Sequence, residues 1–460
     1  MSKNPNQFHG NRIANRARQT ASRRGAASEP VRLSQCMIVK NEEKNIERAL
    51  SWAKDIVFEQ IVVDTGSTDR TVEIAESMGA KVFHFEWIDD FSAAKNYAIG
   101  KARGNWIAFL DADEYFEPDS TSLIIPFLEE IERDKKIGGH IAVLSCSMLN
   151  LDDDGNNILE YTQNRIFRNL PHIRYINKIH EYLRVNVGDI VFFADGIKIM
   201  HTGYALSEAV DKHKGERNAE IIRRELEDNP DDINLKGYLA ASLRQNPGSA
   251  DEVLDLFSQV VESDDTPNPV VARSAYDYMV DDAMKKCDYG RAAELSERAV
   301  KMLPSSPEFH YFCGHALYKL ERYDEAWEYL KSCEALCGSK YNGELFTRLT
   351  GASLDEIFSL MAKTAAQRSD MKSALEYVSM TLFQNKYRDA MLISAIKILR
   401  LTDERDDREI IDYLRTIYDY SDPRDKLFLA KCAKEAGDTV LMMTFHGMIT
   451  PEEKASLAEG

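Results

Sequence analysis

The sequence predicts an α/β domain built on a mainly parallel sheet, followed by a domain made almost entirely of helices. The first observation is an alternation of short apolar segments with helical segments between residues 33 and 118. The second is the apolar stretch at residues 105–114, which ends in three carboxylates. The third is a repeat of 34 residues in the part of the chain that begins at residue 207.

Composition bounds the class of protein. With 460 residues, 44% of them hydrophobic and 29% charged, the chain is expected to form two or three soluble domains. A net charge of −18 argues against nucleic acid as the main partner, because a polyanion needs a basic surface. Seven scattered cysteines without a Cys-x-x-Cys pair indicate reduced thiols. Because no apolar run reaches the ~18 residues that cross a bilayer, and no signal-peptide core precedes residue 30, we expect a cytoplasmic protein.

The domain boundaries follow from changes in pattern. Residues 1–30 lack hydrophobic periodicity and carry six basic residues against one acid, which predicts a disordered basic tail. A transit peptide has a similar composition and stays open as an alternative. We expect the α/β domain over residues 31–206 and the helical domain over residues 207–460.

The α/β pattern begins with a strand at residues 33–40, after which Asn41 is expected to cap a helix. A second strand at residues 60–64 leads into a turn in which Ser67 is the predicted cap of the next helix. A third strand at 81–85 and a helix at 92–103 precede the strand that carries Asp111 and Asp113. Since side chains alternate along a strand, these two aspartates are predicted to point to the same side.

Polar residues follow the predicted strands at the edge where ligands of parallel sheets bind, namely Asn41, Glu42, Asp64, Asp111 and Asp113. Two neighbouring carboxylates repel each other unless a cation lies between them. Mn²⁺ or Mg²⁺ takes oxygen ligands and often shares them with substrate phosphates. The convergence predicts a site for a metal and a diphosphate, whereas an isolated Asp-x-Asp would more often be an acidic turn.

The next segment is expected to be rich in β-structure. A helix over residues 118–135 and a strand over 140–149 lead to a hairpin turn at 152–157. Three further strands are predicted, at residues 158–169, 175–185 and 190–200. They carry Arg165, Arg168, His180, Glu181 and His201 and are expected to lie beside the metal site and receive an acceptor.

The helical part carries the repeat. The segment Tyr289-Gly290-Arg291-Ala292 and the segment Tyr323-Asp324-Glu325-Ala326 lie 34 residues apart. Small residues recurring at this period are typical of tetratricopeptide repeats, which stack helix pairs into a curved surface that commonly holds peptides or protein faces. This surface would serve equally well as the interface of a homo-oligomer.

Four successive motifs resemble those of family 2 glycosyltransferases with the GT-A fold, over about residues 33–205. The motifs lie at residues 37–43, 63–69, 90–98 and 110–114. The chain is most similar to the subgroup joined to tetratricopeptide repeats, which includes S-glycosyltransferases that modify bacteriocin peptides. The first half also resembles lipopolysaccharide-core glucosyltransferases. The resemblance implies a nucleotide-sugar donor, a UDP-sugar in the first instance, and an Mn²⁺ or Mg²⁺ ion.

The resemblance also implies roles for named residues. The nucleoside would be held by Val39, Asn41, Glu42 and Asp64. Asp113 would bind the metal directly, Asp111 would lie near ribose and metal, and His201 would complete the metal shell. Lys95 lies where the family often has arginine and would neutralise the diphosphate. From charge and position alone, Lys214 and Arg217 could close over the same group.

The family acts by direct displacement, which inverts the configuration at the anomeric carbon, so one carboxylate must deprotonate the acceptor. Glu181 matches the position where this base is expected, and the alternative is a salt bridge to Arg165 or Arg184. Arg165 could orient that carboxylate or contact the donor. The acceptor would be a polypeptide or a glycan.

Two other functions compete with this interpretation. A repeat scaffold carrying a degenerate transferase domain is the first, and the intact Asp111, Asp113, Glu181 and His201 argue against it. A nucleotidyltransferase is the second, but it would carry a glycine-rich basic loop where residues 40–43 read Lys-Asn-Glu-Glu. Neither the sugar nor the acceptor atom follows from the sequence.

Overall fold

The computed structural model describes residues 30–152, 155–202, 212–244, 246–338, 350, 352–402 and 406–453. The chain divides into two compact units, Met1–Pro230 and Asp231–Gly460. The predicted basic tail lies outside the described residues up to residue 29, as does the predicted domain boundary between residues 206 and 207.

The first unit is built on an eight-stranded mixed sheet with the strand order β3-β2-β1-β4-β7-β6-β10-β5. Its strands are β1 (Leu33–Val39), β2 (Glu59–Asp64), β3 (Lys81–His84), β4 (Trp106–Phe109), β5 (Glu114–Phe116), β6 (Ile141–Leu151), β7 (Asn157–Arg168) and β10 (Ile190–His201). The first four strands are mutually parallel, as predicted. Strand β7 reverses direction between β4 and β6, and β5 runs antiparallel to β10. The α/β fold class with a GT-A-like sheet is confirmed.

The helices of the first unit connect these strands and cover the sheet. They are α1 (Ile46–Ser51), α2 (Thr71–Ser77), α3 (Phe91–Lys101), α4 (Pro118–Arg133) and α5 (Lys212–Asp228). Large aromatic side chains fill the core around them, with Trp106, Phe109, Phe116 and Phe167 fully buried. Burial of this apolar surface fixes the sheet and therefore the positions at which its strands end.

The loops that follow β1 and β2 differ from the prediction. Asn41 does not cap a helix, since α1 begins only at Ile46. Asn41 instead has a left-handed backbone with φ of 58°, and its side-chain oxygen accepts a hydrogen bond from Thr68 N at 2.8 Å. Ser67, the other predicted cap, accepts a hydrogen bond from Asn41 N at 2.9 Å. Both side chains are used to join the two loops, which local sequence rules do not foresee.

The aspartates and the late strands also differ. Strand β4 ends at Phe109, so Asp111 and Asp113 lie in a turn before β5, and the predicted strand alternation does not apply to them. The single strand predicted at residues 175–185 is two short strands, β8 (Arg174–Ile176) and β9 (Tyr182–Arg184). These pair only with each other, as a separate antiparallel sheet.

The pairing of strand β10 with β6 is interrupted by a bulge before β10 reaches the cleft. Phe193 pairs with Ser145 of β6 and Lys198 pairs with Ser147, so residues 194–197 lie opposite the single residue Cys146. Gly196 supplies a left-handed backbone there, with φ of 83°. After this bulge the parallel pairing resumes and brings His201 opposite Asn150.

The second unit is helical throughout its described part. Its helices are α6 (Ile233–Leu243), α7 (Ala250–Glu262), α8 (Pro269–Lys285), α9 (Tyr289–Met302), α10 (Pro307–Lys319), α11 (Tyr323–Cys337), α12 (Leu354–Gln367), α13 (Met371–Gln384), α14 (Asp389–Thr402), α15 (Asp407–Arg415), α16 (Pro423–Ala436) and α17 (Thr439–Gly447). Helices α9 and α11 begin 34 residues apart, at Tyr289 and Tyr323, which matches the predicted repeat. Small residues allow the helices to cross closely: a Cβ atom at Gly314 would lie 2.7 Å from Leu330. The predicted helical repeat domain is confirmed.

No helix in the described part of either unit combines the length and the apolarity that crossing a membrane requires.

Candidate active site

A cleft of about 510 Å³ opens at the carboxyl ends of the central parallel strands. Val39 at the end of β1, Thr65 after β2 and the turn after β4 form one wall. Other lining side chains come from α3, β7, β10 and the segment between β8 and β9. The predicted site residues that line this cleft are Val39, Glu42, Lys95, Asp111, Asp113, Arg165, Glu181, His201 and Arg217.

A buried ammonium group lies between two carboxylates of the cleft. Lys95 of α3 is 4% exposed, and its Nζ lies 2.8 Å from Glu181 Oε1 and 3.2 Å from Asp111 Oδ1. Burial alone would lower the pKa of Lys95, but the charges of Asp111 and Glu181 raise it well above its usual value. Lys95 is therefore a fixed positive charge at the centre of the cleft.

Arg165 completes the surroundings of Asp111. Its Nη2 atom donates to Asp111 Oδ2 at 2.9 Å and also contacts Glu114. Glu114 in turn accepts a hydrogen bond from Asp111 N at 3.1 Å. Burial would raise the pKa of Asp111, but Lys95 and Arg165 hold it well below its usual value. The cation beside Asp111 is therefore supplied by the protein itself.

These contacts revise the predicted pairing of Glu181. Its ion-pair partner is Lys95, and neither Arg165 nor Arg184 takes that place. Arg165 contacts Asp111 and Glu114, at the end of the cleft where the metal and the diphosphate are predicted. Glu114, the first residue of β5, was missed as a site residue, although it is the third carboxylate of the stretch at residues 105–114. The predicted strand residue Arg168 lies elsewhere, bound to Glu132 at 2.7 Å.

His201 and Asp113 meet at the same end of the cleft. His201 Nε2 lies 3.3 Å from Asp113 Oδ2, and His201 Nδ1 lies 2.7 Å from Asn150 Oδ1. Because the amide oxygen of Asn150 and the carboxylate oxygen of Asp113 can only accept, this geometry favours the imidazolium, which donates from Nδ1 to Asn150 and from Nε2 to Asp113. Burial would lower the pKa of His201, but the hydrogen bond and charge of Asp113 raise it.

The side chains at this end fit a divalent ion that takes the rest of its coordination shell from a substrate. An imidazole fixed through one nitrogen can bind a metal through the other once that nitrogen loses its proton, and such a ring beside a carboxylate is a common arrangement of metal ligands. No group of three or more His, Cys, Asp or Glu side chains among the described residues could hold a metal by itself. Asp113 and His201 would thus be the protein ligands, and phosphate oxygens would complete the shell.

Two residues predicted to bind the nucleoside do not line the cleft. Asp64 is buried and accepts hydrogen bonds from Gly66 N at 3.2 Å and from Ser67 N at 3.0 Å. Burial would raise the pKa of Asp64, but hydrogen bonds from the side chain and backbone of Ser67 and from Gly66 N lower it. Asn41, as described above, joins the same loop to the end of β1. Both residues hold the loop after β2, which Asn41 joins to the loop after β1.

The side of the cleft near α5 is aromatic. The guanidinium of Arg217 lies 5.4 Å from the ring centre of Phe91, and the ring of Trp87 meets Phe91 edge-on at 4.8 Å. Trp87 Nε1 donates to Asp89 Oδ1 at 2.8 Å. These aromatics were missed because single aromatic residues carry no spacing signal. Lys214, also predicted here, has its side chain outside the described part of the structure.

Comparisons with known proteins identify a family for part of the first unit. Residues 34–180 match the family described as Glycosyl transferase family 2. A TPR repeat-containing protein of Synechococcus elongatus is 34% identical over 48% of this chain and 54% of its own length. The SPbeta prophage-derived glycosyltransferase SunS of Bacillus subtilis is 29% identical over 42% of this chain and 45% of its own length. The chain thus spans about half the length of these curated relatives.

Solved structures add a weaker likeness. The crystal structure of S. aureus TarS 1–349 in complex with UDP-GlcNAc is 17% identical, covers 66% of this chain and 91% of its own, and superposes with a TM-score of 0.33. A TM-score this low supports no conclusion about fold or ligand. The assignment rests on the family match and on the sheet whose strand ends form the cleft. The first unit of this chain therefore contains a glycosyltransferase family 2 domain, over residues 34–180.

Proposed function

We propose that the protein transfers a sugar from a nucleotide sugar to a polypeptide or glycan acceptor, with inversion at the anomeric carbon. The observation that carries this proposal is the assembly of two sets of groups in one cleft. Asp113 and His201 form an end suited to a metal and a diphosphate. Glu181 offers a carboxylate suited to proton removal, and Lys95 lies between Glu181 and Asp111. A UDP-sugar is the donor that the family favours.

The leaving group needs positive charge where its negative charge develops. An Mn²⁺ or Mg²⁺ ion held by Asp113 and His201 would supply Lewis acidity at the diphosphate when bound. Lys95 is a permanent cation nearby, and Arg217 lines the cleft from α5. We assign Lys95 and Arg217 to diphosphate binding, and Arg165 to holding Asp111 in place.

The acceptor end needs a group that takes a proton. As the acceptor heteroatom bonds to the anomeric carbon, the bond from that carbon to the diphosphate oxygen breaks, and Glu181 would take the acceptor proton. Glu181 lies 2.8 Å from Lys95, so the proposed base and the proposed diphosphate cation are in direct contact. This contact would couple removal of the acceptor proton to departure of the diphosphate.

The acceptor and the setting of the reaction are part of the proposal. Curved helical repeats hold peptides or protein faces, so the second unit favours a polypeptide acceptor over a glycan. The same surface would serve a homo-oligomer, which gel filtration with light scattering would detect. Because all seven cysteines are unpaired, we place the reaction in a reducing compartment, the cytoplasm.

The first test is turnover of a panel of UDP-, GDP- and dTDP-sugars without acceptor, in the presence and absence of Mn²⁺ or Mg²⁺. Many transferases pass a donor sugar slowly to water, so one donor should be hydrolysed only with metal. Asp113→Ala should reduce this turnover by at least about 100-fold, because a ligand of the metal is lost. Asp55→Ala removes an exposed carboxylate and should retain full activity.

The outcome separates the proposal from its competitor. Hydrolysis of one donor by the wild type, lost in Asp113→Ala and kept in Asp55→Ala, would support a metal-dependent transferase. Equal turnover with and without metal, and in both variants, would show that the reaction does not depend on a metal. No turnover and no nucleotide binding across the panel would overturn the enzyme and leave the repeat scaffold.

A further inference from the structure

The segment that carries Glu181 is held by little regular secondary structure. Strands β8 and β9 have three residues each and pair only with each other. An isolated two-stranded sheet of this length is at best marginally stable in water. Asn177 and His180, between the two strands, have left-handed backbones with φ of 75° and 52°. Other contacts must therefore set the position of Glu181.

Helix α3 supplies those contacts. The Asn96 carboxamide makes two hydrogen bonds to the backbone of Tyr175: its Nδ2 donates to Tyr175 O at 2.8 Å, and Tyr175 N donates to its Oδ1 at 2.9 Å. Ser92 Oγ donates to Asn177 O at 2.6 Å. At the helix start, Phe91 N donates to Lys178 O at 2.8 Å. Four hydrogen bonds thus join the start of α3 to residues 175–178.

The same face of α3 carries the partner of Glu181. Ser92, Lys95 and Asn96 are spaced i, i+3 and i+4, which places them on one side of a helix. Tyr175, held by Asn96, lies with its ring centre 5.1 Å from Lys95 Nζ. The helix that presents the ammonium to Glu181 therefore also holds the backbone that delivers Glu181.

We infer that Asn96 is a positioning residue for the proposed base Glu181. Asn96 would act through the Tyr175 backbone and without touching a substrate, by fixing where the Glu181 carboxylate lies relative to Lys95. This inference rests on the proposed function. The inference also gives a role to Asn96, which belongs to the third motif (residues 90–98) but has no part in the proposed binding of metal, nucleoside or diphosphate.

The test is the kinetic effect of Asn96→Ala on turnover of the donor identified above. The value of kcat should fall about 10- to 100-fold, because a displacement near 1 Å of a reacting group has effects of this size. The KM for the donor should change less than about 3-fold, since its binding groups remain. Asn229→Ala, which alters an exposed asparagine of the first unit, should match the wild type.

A double-mutant cycle distinguishes positioning from general damage. In a Glu181→Gln background, Asn96→Ala should reduce kcat by less than about 2-fold further, because the group that Asn96 positions is already inactive. An equal further loss in that background would overturn the inference, as would an unchanged kcat in the single variant. If Asn96→Ala does not fold, Asn96→Asp serves in its place, since it keeps the acceptor to Tyr175 N and loses the donor to Tyr175 O.

Hydrogen exchange separates failure of this inference from failure of the proposed function. If the wild type turns over no donor, the proposed function fails, and amide exchange still tests the hydrogen bonds. Asn96→Ala should accelerate exchange across residues 174–184 and leave β6 and β7 unchanged, because only the small sheet loses its anchor. Unchanged exchange at residues 174–184 would overturn the positioning role, whatever the activity.

Discussion

At the centre of the cleft, one buried ammonium group compensates two carboxylates. Lys95 contacts Asp111 and Glu181, and Arg165 gives Asp111 a second cation. Removing one partner from a buried ion pair leaves an uncompensated charge, which costs more than the pair contributes over apolar side chains. The cleft is therefore sensitive to the loss of this single cation.

We expect Lys95→Met to lower the free energy of unfolding of the first unit by about 3 kcal/mol, because Asp111 and Glu181 lose their shared cation. Urea unfolding followed by tryptophan fluorescence measures this change, since three of the four tryptophans lie in the first unit. Lys54→Met, at an exposed position, is the matched control. Combining Lys95→Met with Glu181→Gln should recover part of the loss, and a Lys95→Met variant as stable as the control would contradict this account.

A second buried carboxylate should make the stability of the first unit depend on pH. Burial would raise the pKa of Glu59, but hydrogen bonds from Lys81, Arg103 N and Ser34 lower it from 4.5 to about 2. Because the pKa is lower in the folded state, the stabilisation is complete above about pH 4.5 and is lost as the pH falls towards 2. Over that range the stability difference between wild type and Glu59→Gln should shrink by up to about 3 kcal/mol.

Urea midpoints measured at several pH values between about 2 and 6 would check this dependence. Glu47→Gln changes an exposed carboxylate of α1 and should follow the wild-type profile. A constant difference between wild type and Glu59→Gln over the whole range would show that the charge of Glu59 does not stabilise the fold.

At the scale of secondary structure, the sequence predicted what periodicity and burial determine. The strands β1, β2 and β4 are largely buried, and polar residues stand at or shortly after their ends, so their positions and the edge that carries the cleft followed directly from pattern. The confirmed helical repeats followed from a fixed period. These features depend on residues close together in the chain.

The parts that the sequence did not predict depend on pairings between distant residues. Asn41 holds the loop after β2 rather than starting a helix, because Thr68 lies beside it only in the folded state. The pairing of Glu181 with Lys95 crosses from the β8–β9 segment to α3. Strands β8 and β9 are too short to show an alternation, so they were predicted as one. Local propensity contains no information about such contacts.

Close helix crossing in the second unit gives a prediction at this scale. A Cβ atom at Gly237 of α6 would lie 2.2 Å from Val271 Cγ1 of α8, a rigid β-branched side chain. We expect Gly237→Ala to destabilise the second unit by about 1–2 kcal/mol through overpacking. Gly290→Ala, where the nearest atom is 3.7 Å away, should stabilise it by about 0.5 kcal/mol. Chemical unfolding followed by circular dichroism measures both changes.

At the scale of the whole molecule, the chain consists of two compact units that meet in sequence at Pro230 and Asp231. Separate clusters of buried apolar residues lie in each, for example around Trp106 in the first and around Leu330 in the second. A unit with its own core is expected to fold by itself.

A fragment of residues 30–230 should therefore unfold cooperatively and hydrolyse the donor. A fragment of residues 30–206, which follows the boundary predicted from sequence, should melt at a lower temperature. It lacks α5, whose Ile222 is buried and whose Arg224 and Glu225 pair with Asp89 and Lys178. Scanning calorimetry compares the two fragments, and equal melting temperatures would favour the shorter boundary.

The bulge in β10 has a consequence for how this domain can vary in length. Residues 194–197 lie opposite one residue of β6, and pairing resumes before His201. The position of His201 is thus set by its neighbour Asn150 and not by counting along the chain. We expect an insertion or deletion at Asp195 or Gly196 to change the length of the bulge and to leave His201 paired with Asn150. The cost of such a change would fall on the packing of the bulge, where Ala194 and Ile197 are buried, rather than on the position of His201.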